Sequence, residues 1–232
     1  MQKIFTSLRK TWLIAAVAVV MVGGGGLAAV AYASQNGNSG ASDGHQNFQA
    51  ILTPMNGTDA YGVATGTVWR NDWAHFHIVI KNVINAPHAQ HIHFGATAVH
   101  ECPATSADTN GDGIVDTTEG GSAYGPVQTS LTTSGDTSAA STLAVDRYPT
   151  YANGSVYDRT FHLTSDQAQA IRSGLSAVVI HGIDTIQKDG KYDGAPMSDL
   201  DPSLPQEATD PAACGPFHEV TSLVTSNAVS KQ

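Results

Sequence analysis

The sequence predicts an all-β domain, an antiparallel sandwich or barrel with one short helix and long loops. Three observations carry this. Apolar residues alternate with polar ones over several short segments, and turn-forming residues separate those segments. Charged residues make up only 13% of the chain, and with 23 glycines and abundant Thr and Ser this favours strands and turns over long helices. A single stretch carries a convincing helix signal. At 232 residues and 41% hydrophobic content, the chain can bury the core of one moderate domain.

In chain order, residues 1–33 read as an export signal. Lys3, Arg9 and Lys10 precede an apolar run at 12–22, and Ala31-Tyr32-Ala33 offers a small-x-small cleavage pattern before Ser34. The uncharged run at 11–33 is also long enough to span a bilayer, so an uncleaved anchor is the alternative and the only route to a membrane. Both readings place the remainder outside the cytoplasm: secreted, periplasmic or at the cell surface. Residues 34–46 are polar and Gly/Ser-rich, a flexible tether before a domain at 47–232. Removing the three leading cations from the 11 Lys and Arg leaves 8 against 20 acidic residues, a net of −12. Such a body excludes nucleic acid as a partner and suits divalent cations.

Strands are expected at 48–52, 61–68 and 74–84. In the third, Phe76, Ile78 and Ile80 share one face, and His75, His77, Val79 and Lys81 the other, so His75 and His77 read as solvent-side residues. Further strands are expected at 124–131, 155–163 and 177–182, with His162 an ordinary strand histidine. Thr164 or Ser165 can cap a helix at 166–172 that Gly174 ends. The stretch from 184 is loop-like until 212–217.

The chemistry concentrates at 87–119. His91 and His93 stand two apart, so on a strand both rings project from one face and can chelate one ion. Residues 108–119 then match a calcium-binding loop at each specified position. Asp108, Asn110, Asp112, Asp116 and Glu119 supply side-chain oxygens, Ile114 a carbonyl and Gly113 the turn. No helix is expected on either side, so the segment reads as a structural calcium clip in a β-domain loop, with a solvated acidic turn as the alternative. Asp184, Asp189 and Asp193 form a second, weaker acidic cluster. Cys102 and Cys214 are an even pair in an oxidising compartment. They read as a disulfide, with two unpaired thiols as the alternative.

These residues carry a resemblance. His88-Ala89-Gln90-His91-Ile92-His93-Phe94-Gly95, the cysteine nine residues beyond His93, Val178-Val179-Ile180-His181 and Ala213-Cys214-Gly215 resemble copper/zinc superoxide dismutase in content and in order. The same middle segment, with Gly125-Pro126-Val127, residues 164–174 and the strand ending in His181, is similar to the CHRD domain, a related β module. The resemblance spans about 47–218. It implies a Greek-key β-sandwich in which His91, His93 and His181 converge on copper and a Cys102–Cys214 bridge ties the ligand-bearing loop to the last strand. It also implies dismutation of superoxide by copper cycling between two oxidation states. Neutral imidazoles suit copper or zinc, and copper prevails where both are present.

The departures from the family bear on activity. Its bridging histidine would fall near Asp108, yet no histidine occurs between Cys102 and Phe161, and no basic residue stands at 209–213 where the family has its anion-guiding arginine. A domain at −12 repels superoxide without such a residue. Metal binding is therefore better supported than turnover. His100 and His218 are further candidates for a fourth ligand, and His88 reads as a packing histidine beneath the ligands. The alternative function is a non-enzymatic, CHRD-like extracellular module stabilised by calcium and the disulfide. A zinc hydrolase with three histidines would need a general base that the sequence does not display.

Overall fold

The computed structural model describes residues 44–223 except 153, 187, 194 and 195. The predicted export signal and most of the tether lie outside the described residues. Among the described residues, nine strands run in the order β1 (His45–Pro54), β2 (Tyr61–Trp69), β3 (Trp73–Lys81), β4 (Gln90–His93), β5 (Val127–Ser130), β6 (Tyr157–His162), β7 (Ala177–His181), β8 (Pro211–Pro216) and β9 (His218–Val220). Neighbouring strands pair antiparallel in the order β5-β4-β7-β8-β1-β2-β3-β6, with β9 also on β1. The all-β expectation is met.

β1 makes the sheet curl. Its first eight residues, His45 to Leu52, pair with β2, while its last two, Thr53 and Pro54, pair with Cys214 and Ala213 of β8. One half, β6-β3-β2-β1 with β9, thereby faces the other, β5-β4-β7-β8, across a shared core. The β3–β4, β5–β6 and β6–β7 connections pass between the halves, as in Greek-key sandwiches. Phe48, Leu52, Phe76, Ile78, Tyr157 and Phe161 come from the first half; Ile92, Val178 and Ile180 come from the second. In β3 the burial alternates as the sequence predicts, with Phe76, Ile78 and Ile80 inward. β1 begins earlier than expected, because His45 and Gln46 find partners in Trp69 and Val68.

The expectation of a single helix is corrected. The predicted one is present as α2 (Ser165–Arg172), capped by Thr164, but α1 (Thr117–Tyr124) and α3 (Gln206–Thr209) are helical as well. α1 follows directly on the acidic loop, against the expectation that no helix flanks it. Two adjacent glycines make TTEGGSAY a poor helix by propensity. A capping box overrides them: Asp116 Oδ1 accepts the Glu119 N–H at 2.8 Å, and Glu119 Oε2 accepts the Asp116 N–H at 3.1 Å. Gly120 is also required there, because a Cβ would strike the Tyr124 ring at 2.5 Å. The strand expected at 124–131 consequently shrinks to β5, since Tyr124 closes the helix and Gly125 turns the chain at φ 89°.

Candidate metal centre

β4 lies between β5 and β7, so its backbone is held on both sides. Alternation sends Ile92 into the shared core and His91 and His93 to the opposite face, where their partners across β7 are Val179 and Ala177. Val179, Ala177 and Cys214 belong to a second apolar cluster with Met55, Tyr124 and Cys102. This face is therefore covered, and polar groups on it are shut away from water. His181 ends β7 after a bulge. Its ring centroid stands 4.9 Å from that of His91 and 6.0 Å from that of His93. One nitrogen from each of the three rings lies within 4.8 Å of the others, a group that could hold a metal ion.

Each ring is oriented by a hydrogen bond on its far side. His93 Nδ1 bonds the Gly125 carbonyl at 2.8 Å, and His181 Nδ1 the Thr209 carbonyl at 2.6 Å. His91 Nε2 lies 3.1 Å from the Thr142 carbonyl and 2.9 Å from the Tyr148 hydroxyl. A carbonyl only accepts, so these nitrogens carry the protons. The lone pairs are left on His91 Nδ1, His93 Nε2 and His181 Nε2, the three ring atoms that are buried without a partner. Burial is the first cause that keeps the rings neutral. It holds His91 well below the ordinary histidine value, aided by its two neighbours; it lowers His93 to about 3 and His181 to about 4. Three neutral imidazoles with converging lone pairs are a donor set suited to copper or zinc.

The centre opens into a cleft of about 250 Å³, lined by residues that include Pro126, Val127, Leu143, Val145, Leu200 and Leu204. Gly125, at the end of α1, sits where a Cβ would come within 2.8 Å of the Phe94 backbone, so the carbonyl that holds His93 depends on a glycine. Tyr124 packs against the His93 ring with centroids 4.5 Å apart.

Other predicted residues fall as follows. His88 is fully buried, with Nδ1 2.8 Å from the His181 carbonyl and Nε2 3.0 Å from that of Ile84, a packing histidine under the ligand strand as expected. His100 and His218 are not brought into the group: His100 Nε2 bonds the Gly95 carbonyl at 3.0 Å, and His218 lies on β9 in the other half of the sheet. His75 and His77 flank Asp158 on the outside of β3, and His162 packs edge-on to Trp73. Cys102 and Cys214 form the disulfide.

The loop at 108–119 is wound round its own carboxylates. Asp108 accepts the N–H groups of Gly111 and Gly113, Asp112 that of Ile114, and Glu119 Oε1 those of Thr109 and Asn110. Asp116 is engaged as the cap of α1. Asp184 closes a turn by accepting from Asp189 and Gly190.

Sequence reasoning missed Tyr148, Thr142, Gly125 and Thr209, which orient the imidazoles through backbone carbonyls or one hydroxyl; a backbone contact leaves no trace in residue type. It also missed Asp210. This carboxyl is fully buried and neither oxygen has a partner at hydrogen-bond geometry; burial, then the charges of Asp116, Asp199 and Asp112, push it up to about 8. No helix among the described residues is long and apolar enough to cross a membrane. No family model matches the chain, and a search of the curated proteins finds no match either.

Proposed function

We propose that this is an exported metal-binding β domain in which His91, His93 and His181 take up copper, with zinc as the competing occupant. The observation that carries the reading is the trio of buried, neutral imidazoles, each with its proton anchored on the far side and an unpartnered nitrogen turned toward the others. Copper bound there would supply one-electron exchange. The chain's own residues orient the rings through Gly125, Thr142, Tyr148 and Thr209 and exclude water by burial. The disulfide is consistent with an extracellular setting. In this reading residues 108–119 act as a calcium clip that stiffens the entry to α1.

Two activities are compatible with such a centre: superoxide dismutation, and binding without turnover in the manner of a CHRD-like module. The cleft favours the second, because among the described residues that line it none is Lys or Arg, and an anionic substrate gains nothing on approach.

Metal analysis of the exported form, purified without added metal, is expected to find about one equivalent of copper or zinc per chain. His181→Ala is expected to weaken copper binding by a factor of about 100 or more through loss of one of three ligands. Undiminished stoichiometry and affinity in that variant would remove the centre from the reading. A superoxide assay on copper-loaded protein then separates the two activities.

The clip has its own test. Calcium should raise the melting temperature of the parent and leave that of the double variant Asp112→Ala with Glu119→Ala unchanged. A parent whose melting ignores both calcium and chelator has no such clip.

A further inference from the structure

The cleft above the histidines has an unusual balance of polarity. Among the described residues that line it there is no Asp, Glu, Lys or Arg. Seven lining residues carry hydroxyls, and each hydroxyl is already committed within the protein. Thr117 donates to the Thr209 carbonyl, Thr118 to Asp199, Tyr124 to the Thr117 carbonyl and Thr142 to the Ala139 carbonyl. Tyr148 donates to the Ser141 carbonyl, Thr209 bonds Ser198, and the Tyr192 hydroxyl meets His88. The rings of Tyr124, Tyr148 and Tyr192 therefore offer the cleft carbon and no free hydroxyl. Among the lining side chains, the buried polar atoms left unpartnered are the three imidazole nitrogens at its floor.

The rim continues the pattern. Leu143, Val145 and Leu200 are 40%, 45% and 41% exposed, large apolar side chains left in water around the mouth. Isolated exposed leucines are common on proteins; three around one uncharged cleft with a polar floor make a pocket for a ligand. A chargeless wall in a net acidic chain gives an anion no counter-charge and a cation no specific partner. Tyrosine and imidazole rings offer edges and faces to a flat ring. We infer that the cleft receives a small, neutral, ring-bearing molecule, with apolar and tyrosine walls on its ring and its one polar atom turned toward the group formed by His91, His93 and His181, metal-free or metal-bound. This deepens the metal-binding reading, since the cleft is also the approach to those nitrogens.

The probe is 4-methylphenol, neutral at pH 7, titrated by calorimetry into metal-free and into zinc-loaded protein, with azide as the anionic comparison. Saturable binding of 4-methylphenol to the metal-free protein is expected, with Kd of about 1 mM or tighter. Leu143→Asp and Leu200→Asp, both at exposed positions, should each weaken it by about tenfold. Azide should bind the metal-free form no better than 4-methylphenol does. Three results overturn the inference: azide the tighter ligand of the metal-free protein, no 4-methylphenol binding to a folded protein, or binding that ignores both variants. Self-association of the parent that both variants abolish also overturns it, by assigning the rim to a second copy. Metal content is measured separately. A protein that takes metal but not 4-methylphenol refutes the cleft inference alone; one that takes 4-methylphenol but no metal refutes the metal centre alone.

Discussion

Replacing Cys102 and Cys214 together with alanine is expected to lower the stability of the domain by about 4–5 kcal/mol. The bridge closes a loop spanning 112 residues, and in the chain-entropy model a loop of that length removes about that much conformational freedom from the unfolded state. Against the roughly 5–15 kcal/mol that holds a typical domain folded, the loss is large. Its position sharpens the consequence. Cys214 is fully buried on β8, opposite Val179 of β7, while Cys102 begins the segment that carries the acidic loop and α1. That segment delivers Tyr124 to the face of His93 and the Gly125 carbonyl to its Nδ1. Without the bridge, His93 should lose much of its fixed orientation, and any metal affinity of the His91, His93 and His181 group should fall together with stability. Urea unfolding of the double variant and the parent, both in chelator, measures the first effect. A loss below about 1 kcal/mol would mean that the segment is held by packing alone.

The fold was legible in the sequence where alternation is strong. β3 shows this best: its inward set of Phe76, Ile78 and Ile80 could be read off directly. The histidine pair on β4 was legible for the same reason, since a separation of two on a strand admits one geometry. The pairing with His181 was not a matter of local pattern. It follows from β4 and β7 being neighbours; the family resemblance implied the convergence of the three histidines, and no residue spacing revealed it. α1 escapes because propensity points away from it: Asp116 and Glu119, its capping box, read in the sequence as calcium ligands, and Gly120 and Gly121 argue against a helix. The same carboxylates serve a cap and a candidate ion loop, and a pattern match cannot divide them between the two. Tyr148 and Asp210 were invisible because their roles depend on burial. Neither has a local signature, and the run Thr209-Asp210-Pro211 stands out in the sequence only for its lack of a basic residue.

Metal-free protein is expected to lose stability steeply as the pH falls below about 6.5. Folding lowers the pKa of His91, His93 and His181, and that of His88 beneath them, in each case first through burial. The unfolded chain, with rings near the ordinary value of about 6.5, then takes up protons that the folded chain refuses. Each such ring costs about 1.4 kcal/mol of stability per pH unit through this window. For His181 the loss continues down to about 4, and for His93 to about 3. Asp210 acts in the opposite sense. Its folded pKa, raised to about 8, means that the folded state holds a proton the unfolded state has released, so its contribution grows as the pH drops from 8. One carboxyl is outweighed by four imidazoles once the pH passes below 6.5, which places the stability maximum of the metal-free domain near neutrality. Bound metal changes the balance. An ion on the three unpartnered nitrogens competes with protons for the same lone pairs, so the loaded protein should hold its stability to lower pH. Urea midpoints at pH 8, 6.5 and 5, with chelator and with copper, give both curves. If the chelated protein keeps its midpoint from pH 6.5 to 5, the three rings are not held neutral by burial, and their readiness to bind a metal loses its physical basis.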